Sequence, residues 1–295
     1  MRRGGTMSFE IITDSSANLP ESMIDEYNLQ VMSLVFRVNG QEYLGYKKGE
    51  TIDLSKFYGM MRDKENITTS LLNIEDCMKF MKNLLEQGKD ILYIGFSSGL
   101  SGSFQVADIV AKQLQEEYPE CKIYTVDTLA AALGEGLLVY LACQKRLEGC
   151  SIEEVYQWLL DNRLKICHWF TVDDLFFLKR GGRVSQASAI VGSILSIKPV
   201  MHVDDEGHLI LMEKVRGRKK SLEGLVKHME ETVVDPENQH IFISHGDCLE
   251  DAQYVERLVR ERWKVKDVLI HILDPVIGAH SGPGTVALFF IGTKR

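Results

Sequence analysis

The strongest constraint on the fold is a pattern that occurs three times in the first half of the chain. A short apolar run closes on a polar or small residue, and a helical pattern follows. Phe9-Glu10-Ile11-Ile12-Thr13-Asp14 leads through Ser15 to Pro20 into a helix from about Glu21. Ile91-Leu92-Tyr93-Ile94 leads through the loop Gly95 to Ser103 into the amphipathic stretch Phe104 to Glu117. Lys122 to Asp127 leads into a small-residue helix from Thr128 through Arg146. Strands alternating with helices imply parallel β-α-β units, whose ligands gather at the carboxyl ends of the strands. The polar loops at Asp14, Ser97 and Asp127 are therefore expected on one rim.

The remaining pattern is mixed. Gln30 to Arg37 and Gln41 to Leu44 read as a hairpin about Val38-Asn39-Gly40, whose Asn-Gly supplies positive φ angles. Helices are expected at Asp53 to Arg62 and at Ile74 to Gln87, the second preceded by the hydroxyl cluster Ile67-Thr68-Thr69-Ser70. Ser151 to Arg163 is helical by pattern, and the character changes near Lys165. A strand ends at Phe170 and Thr171. A short helix, Leu175 to Arg180, begins at Asp173-Asp174 and stops at Gly181-Gly182. Another helix is expected from Arg183 through Leu195. Pro199 to Val203 and His208 to Val215 form a hairpin about Asp204 to Gly207. Helices Ser221 to Thr232 and Glu250 to Trp263 alternate with strands Gln239 to Ser244, Val268 to Ile272 and Thr285 to Gly292. A chain of 295 residues can bury two cores. The expected class is α/β in two domains: residues 7–164, with parallel β-α-β units and the polar loops, and residues 165–295, where a hairpin-like pattern is followed by alternating helices and strands. Structure is expected to begin near Met7.

Charge and composition narrow the function. Thirty-four Lys and Arg against 42 Asp and Glu give a net charge of -8, which disfavours nucleic acid as a partner. The six cysteines contain no C-x-x-C pair and read as reduced thiols of a cytoplasmic protein. The longest apolar run, Leu137 to Cys143, is too short to span a bilayer, so stable membrane insertion is not expected. No histidine pair has metal-ligand spacing, and the P-loop pattern is missing, so neither a metal nor a nucleotide cofactor is expected. Two basic groups, Lys179 to Arg183 and Lys214 to Lys220, are either solvated faces or anion sites.

Two chemistries remain for the loop Gly95 to Ser103. Free backbone N–H groups and hydroxyls at a helix start suit an anion, although Ser also serves there as an ordinary cap. Gly95-Phe96-Ser97-Ser98-Gly99 also matches the nucleophile-elbow pattern of serine hydrolases, with Asp274 and His280 following in the required order. Ile277 to Thr285, a Gly- and Pro-rich turn, carries His280, whose imidazole can donate to a carboxylate.

Five stretches in register carry a resemblance: Ile12-Thr13-Asp14-Ser15-Ser16 with Asn18-Leu19-Pro20; Thr69-Ser70; Ser97 to Ser103; Leu178 to Val184; and Gly278 to Gly284. Together they resemble the DegV family from about Phe9 to the C-terminus. The resemblance implies two α/β domains, residues 7–164 with a parallel three-layer sheet and residues 165–295 with a mixed sheet, in an architecture shared with dihydroxyacetone kinase. It also implies a long-chain fatty acid held between sheet and helices with its carboxylate near the domain junction. Some members of that family are non-catalytic subunits of fatty acid kinase and present the carboxylate to an ATP-binding subunit that makes acyl phosphate. Carried over, Thr69, Ser97, Ser98 and His280 bind the carboxylate, with Thr68, Ser281 and Gly282 in support. Arg183 and Arg216 face the kinase partner and the phosphoryl group. Leu71-Leu72 replace the family's usual Gln-Pro, which leaves open whether Thr68 or Thr69 faces the ligand. The alternatives are a serine hydrolase using Ser97 and His280, or a lipid sensor without a kinase partner.

Overall fold

The structure, a computed structural model, describes residues 9–184 and 197–295. The expected start near Met7 and most of the helix expected from Arg183 through Leu195 lie outside the described residues. In chain order the first half runs β1 (Glu10–Asp14), α1 (Glu21–Glu26), β2 (Gln30–Met32), β3 (Val35–Val38), β4 (Gln41–Leu44), α2 (Leu54–Arg62), β5 (Ile67–Ser70), α3 (Ile74–Leu85), β6 (Ile91–Gly95), α4 (Ser103–Glu117), β7 (Ile123–Asp127), α5 (Leu133–Leu147) and α6 (Ile152–Asn162). β2, β1, β6 and β7 form a parallel sheet in that order. Both faces of β1 and β6 are buried, which explains their nearly unbroken apolar runs. Gly95 pairs with Asp127, so these strands end level and the polar loops share one rim, as expected.

The expected strand from Gln30 to Arg37 is in fact two strands in different sheets. At the break, Ser33 Oγ accepts from Tyr46 N (3.0 Å), and Leu34 N donates to Ser15 Oγ (3.0 Å). β2 stays in the parallel sheet, and β3 turns away to pair antiparallel with β4 and β5. The Asn39-Gly40 turn has the positive φ angles its sequence requires, 51° and 86°. The consequence for function is β5, which carries Thr69 on a small sheet of its own.

The second half runs β8 (Ile166–Thr171), α7 (Leu175–Arg180), β9 (Ile197–Val203), β10 (Leu209–Arg216), α8 (Arg218–Thr232), β11 (His240–His245), α9 (Leu249–Arg262), β12 (Asp267–Ile272), α10 (Pro275–Ser281) and β13 (Val286–Ile291). Its mixed sheet has the order β10-β9-β8-β13-β11-β12. The Gly- and Pro-rich segment after Asp274 folds as the helix α10 rather than as an open turn. Asp274 Oδ1 accepts from Val276 N (2.7 Å) and Ile277 N (3.2 Å), Pro275 takes the first turn, and Gly282 ends the helix at φ 85°.

α5 lies between the two sheets and is buried along most of its length. Gly134 permits this, since a Cβ there would run into the rings of His168 and Phe289. One apolar cluster accordingly extends from Phe9 to Phe289 and joins both halves. Among the described residues, no helix is long and apolar enough to cross a membrane.

Candidate functional site: an apolar cavity with a polar end

A cavity of about 460 Å³ lies where the strand rim of the parallel sheet meets the mixed sheet. Strand parity builds its long wall. Thr285, Ala287 and Phe289 alternate onto it from β13 and its approach, and His168 and Phe170 do so from β8. Leu34, Leu178, Val203, Leu209, Leu273 and Val276 make the wall mainly apolar. Polar groups are contributed by Thr69, Ser70, Ser101, Arg183, His280 and Ser281.

Two of these polar groups are bonded to each other. Thr69 Oγ1 and His280 Nε2 are 2.7 Å apart. In the antiparallel pairing of β5 with β3, Thr68 faces the opposite side of the sheet and is exposed, so Thr69 is the threonine at the cavity. Burial, reinforced by the Arg183 and Arg180 charges, pushes the His280 imidazole down to about 4 and keeps it neutral near pH 7. His280 Nδ1 and Ser281 Oγ are buried and have no hydrogen-bond partner among the described residues. Arg183 Nε donates to Leu100 O (3.2 Å), and its Nη1 donates to Gly181 O. Ser101 Oγ lies 3.0 Å from Ser103 Oγ, and Arg37 donates to Ser70 Oγ. Hydroxyls, a neutral imidazole and a half-buried guanidinium at the end of an apolar cavity are groups whose chemistry can accept an amphiphile with an anionic head.

Ser97 is placed elsewhere. It is fully buried, its hydroxyl donates to Gly207 O (2.9 Å) in the β9–β10 turn, and it accepts from Gly99 N (3.2 Å). This fastens the loop after β6 to the other sheet, and Ser97 does not line the cavity. Ser98 does not line it either, and its backbone N–H donates to Asp127 Oδ1 (3.2 Å). The loop turns its later residues, Leu100 to Gly102, toward the cavity instead. Nor do the hydrolase partners assemble: His280 bonds Thr69, Asp274 Oδ1 caps α10, and the Ser97 hydroxyl bonds Gly207 O. Gly282 is a conformational residue, at φ 85° and packed against Phe177. Arg216 is exposed at the end of β10. Its neighbour Arg218 is tied to Asp251 (2.8 Å) and Gly284 O (2.6 Å). Sequence reasoning did not single out Ser70, Ser101 or His168. Ser101 stood within the recognised loop, four residues past Ser97, which is one helical turn further on.

The family model described as "Uncharacterised protein, DegV family" matches residues 8–293. The chain belongs to the DegV family. A DegV domain-containing protein of Clostridium perfringens is 44% identical over 97% of this chain and 98% of its own. One from Lactococcus lactis is 36% identical over 98% of this chain and 99% of its own. Among solved structures, a fatty-acid-binding DegV protein from Streptococcus agalactiae has a TM-score of 0.84 at 30% identity, covering 98% of this chain and all (100%) of that one. A DegV protein from Thermus thermophilus, also described by its fatty acid binding, has a TM-score of 0.87 at 28% identity, covering 97% and 100%. The α/β class, with one parallel and one mixed sheet, is thus that of this DegV chain's neighbours.

Proposed function

We propose that this DegV protein binds a long-chain fatty acid in the cavity and presents its carboxylate to a separate kinase subunit for acyl phosphate formation. The observation that carries the first half is the 460 Å³ apolar cavity ending in the Thr69–His280 pair. Each buried methylene contributes about 0.8 kcal/mol, so the tail supplies most of the affinity. Hydrogen bonds to the charged head, about 1.5 to 3 kcal/mol each, fix its position. Thr69, His280, Ser281 and Ser101 are the carboxylate-binding groups in this reading, and Arg183 supplies the positive charge. Ser97 and Ser98 support the loop from behind.

The kinase half rests on the family resemblance and on two placements. Arg183 reaches the head end, where it can meet a carboxylate and then a phosphoryl group, and Arg216 is exposed for a protein partner. The cytoplasm is the compartment that suits such a partnership. A division near residue 165 is supported by sheet membership, since the first two sheets end at Asp127 and the mixed sheet begins at Ile166.

Mass spectrometry of the purified, denatured protein tests the binding half. A co-purifying long-chain fatty acid is expected, and its absence together with no binding of added fatty acid refutes the reading. Pull-down with an ATP-dependent fatty acid kinase subunit tests the second half, and binding of lipid with no such partner leaves a lipid sensor.

A further inference from the structure

His168 is unusual among the cavity residues because it is polar and sits far from the polar end. β13 and β8 run antiparallel along the cavity, and His168 is paired with Phe289. Phe289 lies four residues beyond Thr285, so this pair is roughly 13 Å down the strand from the head end. The imidazole is 1% exposed, it lines the cavity, and neither ring nitrogen has a hydrogen-bond partner among the described residues.

Its surroundings combine apolar packing with the nearby Arg295 and His202 side chains. Phe289 meets the ring edge-on at 5.5 Å between centroids. The backbone of α5 closes over Nε2 at Gly134, where any side chain would collide with it. Burial, with the Arg295 and His202 charges, outweighs a weak backbone interaction with Ile166 and holds the ring well below the ordinary histidine range, so it is neutral. A neutral imidazole has one N–H donor and one bare acceptor nitrogen. Burying the ring with neither nitrogen in a well-formed hydrogen bond is costly, and a leucine or phenylalanine there would fill the space without that cost.

We infer that His168 is a specificity-determining residue for the acyl chain and that the preferred ligand class is a fatty acid bearing a hydroxyl in mid-chain. A hydroxyl both donates and accepts, and therefore matches either nitrogen of a neutral imidazole. The ring's χ2 torsion is soft, so a nitrogen can turn from the wall toward a hydroxyl in the cavity. A plain alkyl chain leaves His168 unpaired. This inference rests on the fatty-acid reading of the cavity and adds the chain's chemistry to it.

The test is calorimetric titration of the delipidated full chain with stearic acid and with a series of monohydroxystearic acids differing in hydroxyl position. One mid-chain isomer should bind about tenfold tighter than stearic acid. In His168→Leu that preference should vanish, so that the favoured isomer and stearic acid bind within about twofold of each other. The histidine ring nitrogen resonances of the unaltered protein give a second readout that needs no variant, and the His168 signal should move with the preferred isomer but not with stearic acid. If stearic acid binds and no isomer is preferred, or if the preference survives in His168→Leu, the inference is overturned and the fatty-acid reading stands. If neither acid binds, both fall.

Discussion

Two hydroxyl-bearing stretches of this molecule look alike in sequence and do different work. Ser97-Ser98 sits at the end of a buried strand in a glycine-rich loop, and Thr69-Ser70 ends an edge strand of a small antiparallel sheet. The first is turned onto protein: Ser97 Oγ bonds the carbonyl of Gly207 and is closed off from the cavity. The second is turned onto the cavity, where Thr69 meets His280. A hydroxyl already satisfied by a backbone group of the opposite sheet stabilises the fold, and one whose remaining capacity faces a cavity is available to a ligand.

The largest expected effect on this contrast comes from Gly207→Ala. Its backbone has φ 80°, and a Cβ would collide with Ser97 Oγ. We expect a stability loss of about 2–4 kcal/mol by chemical denaturation, with fatty acid affinity of the folded protein unchanged. A large loss of affinity at full stability would place the Ser97 loop in the site after all. Next is the pair Thr69→Val and Ser98→Ala. Thr69→Val should weaken fatty acid binding about tenfold or more with little change in melting temperature, and Ser98→Ala should leave affinity within about twofold. The reverse ranking would exchange the roles assigned to the two stretches.

The smallest effect is on the slope of stability with pH. His280 is depressed from 6.5 to about 4, so below pH 6.5 the unfolded chain takes up the proton first. The stability tied to its neutral form is present above that pH and is lost as pH falls toward 4. His280→Gln should therefore flatten the decline between these values. Asp274 works in the opposite sense, since burial raises its carboxyl to about 7 and stability linked to it falls as pH rises from about 4 to 7. The comparison of variant with unaltered protein isolates the histidine contribution, and an unchanged slope would mean that His280 is not held neutral by the fold.

Much of the fold was legible because strands buried on both faces leave an unmistakable apolar run, as at Ile91 to Ile94, and because Asn39-Gly40 encodes its own turn. The break at Ser33-Leu34 was not legible, since it depends on hydrogen bonds to Ser15 and Tyr46 from elsewhere in the chain. The helix α10 was hidden by its glycines, although Asp274-Pro275 is a helix-start signature that the sequence did display. At the site, Thr69 and His280 came from motif resemblance, and strand parity then separated Thr69 from Thr68. The fate of Ser97 could not be read locally. Its partner, Gly207, is distant in sequence and approaches only because the β9–β10 turn packs onto the rim. His168 lies inside an apolar strand, where periodicity gives no reason to expect a polar side chain facing a ligand.

The central claim is that the head of the ligand sits between Thr69 and His280 and not at Ser97-Ser98. A crystal structure of the protein with a bound fatty acid tests it most directly. The account predicts a carboxylate oxygen within hydrogen-bonding distance of Thr69 or His280, with the chain running along Ala287 and Phe289. A carboxylate bonded to Ser97 or Ser98, with Thr69 and His280 still bonded only to each other, would contradict it.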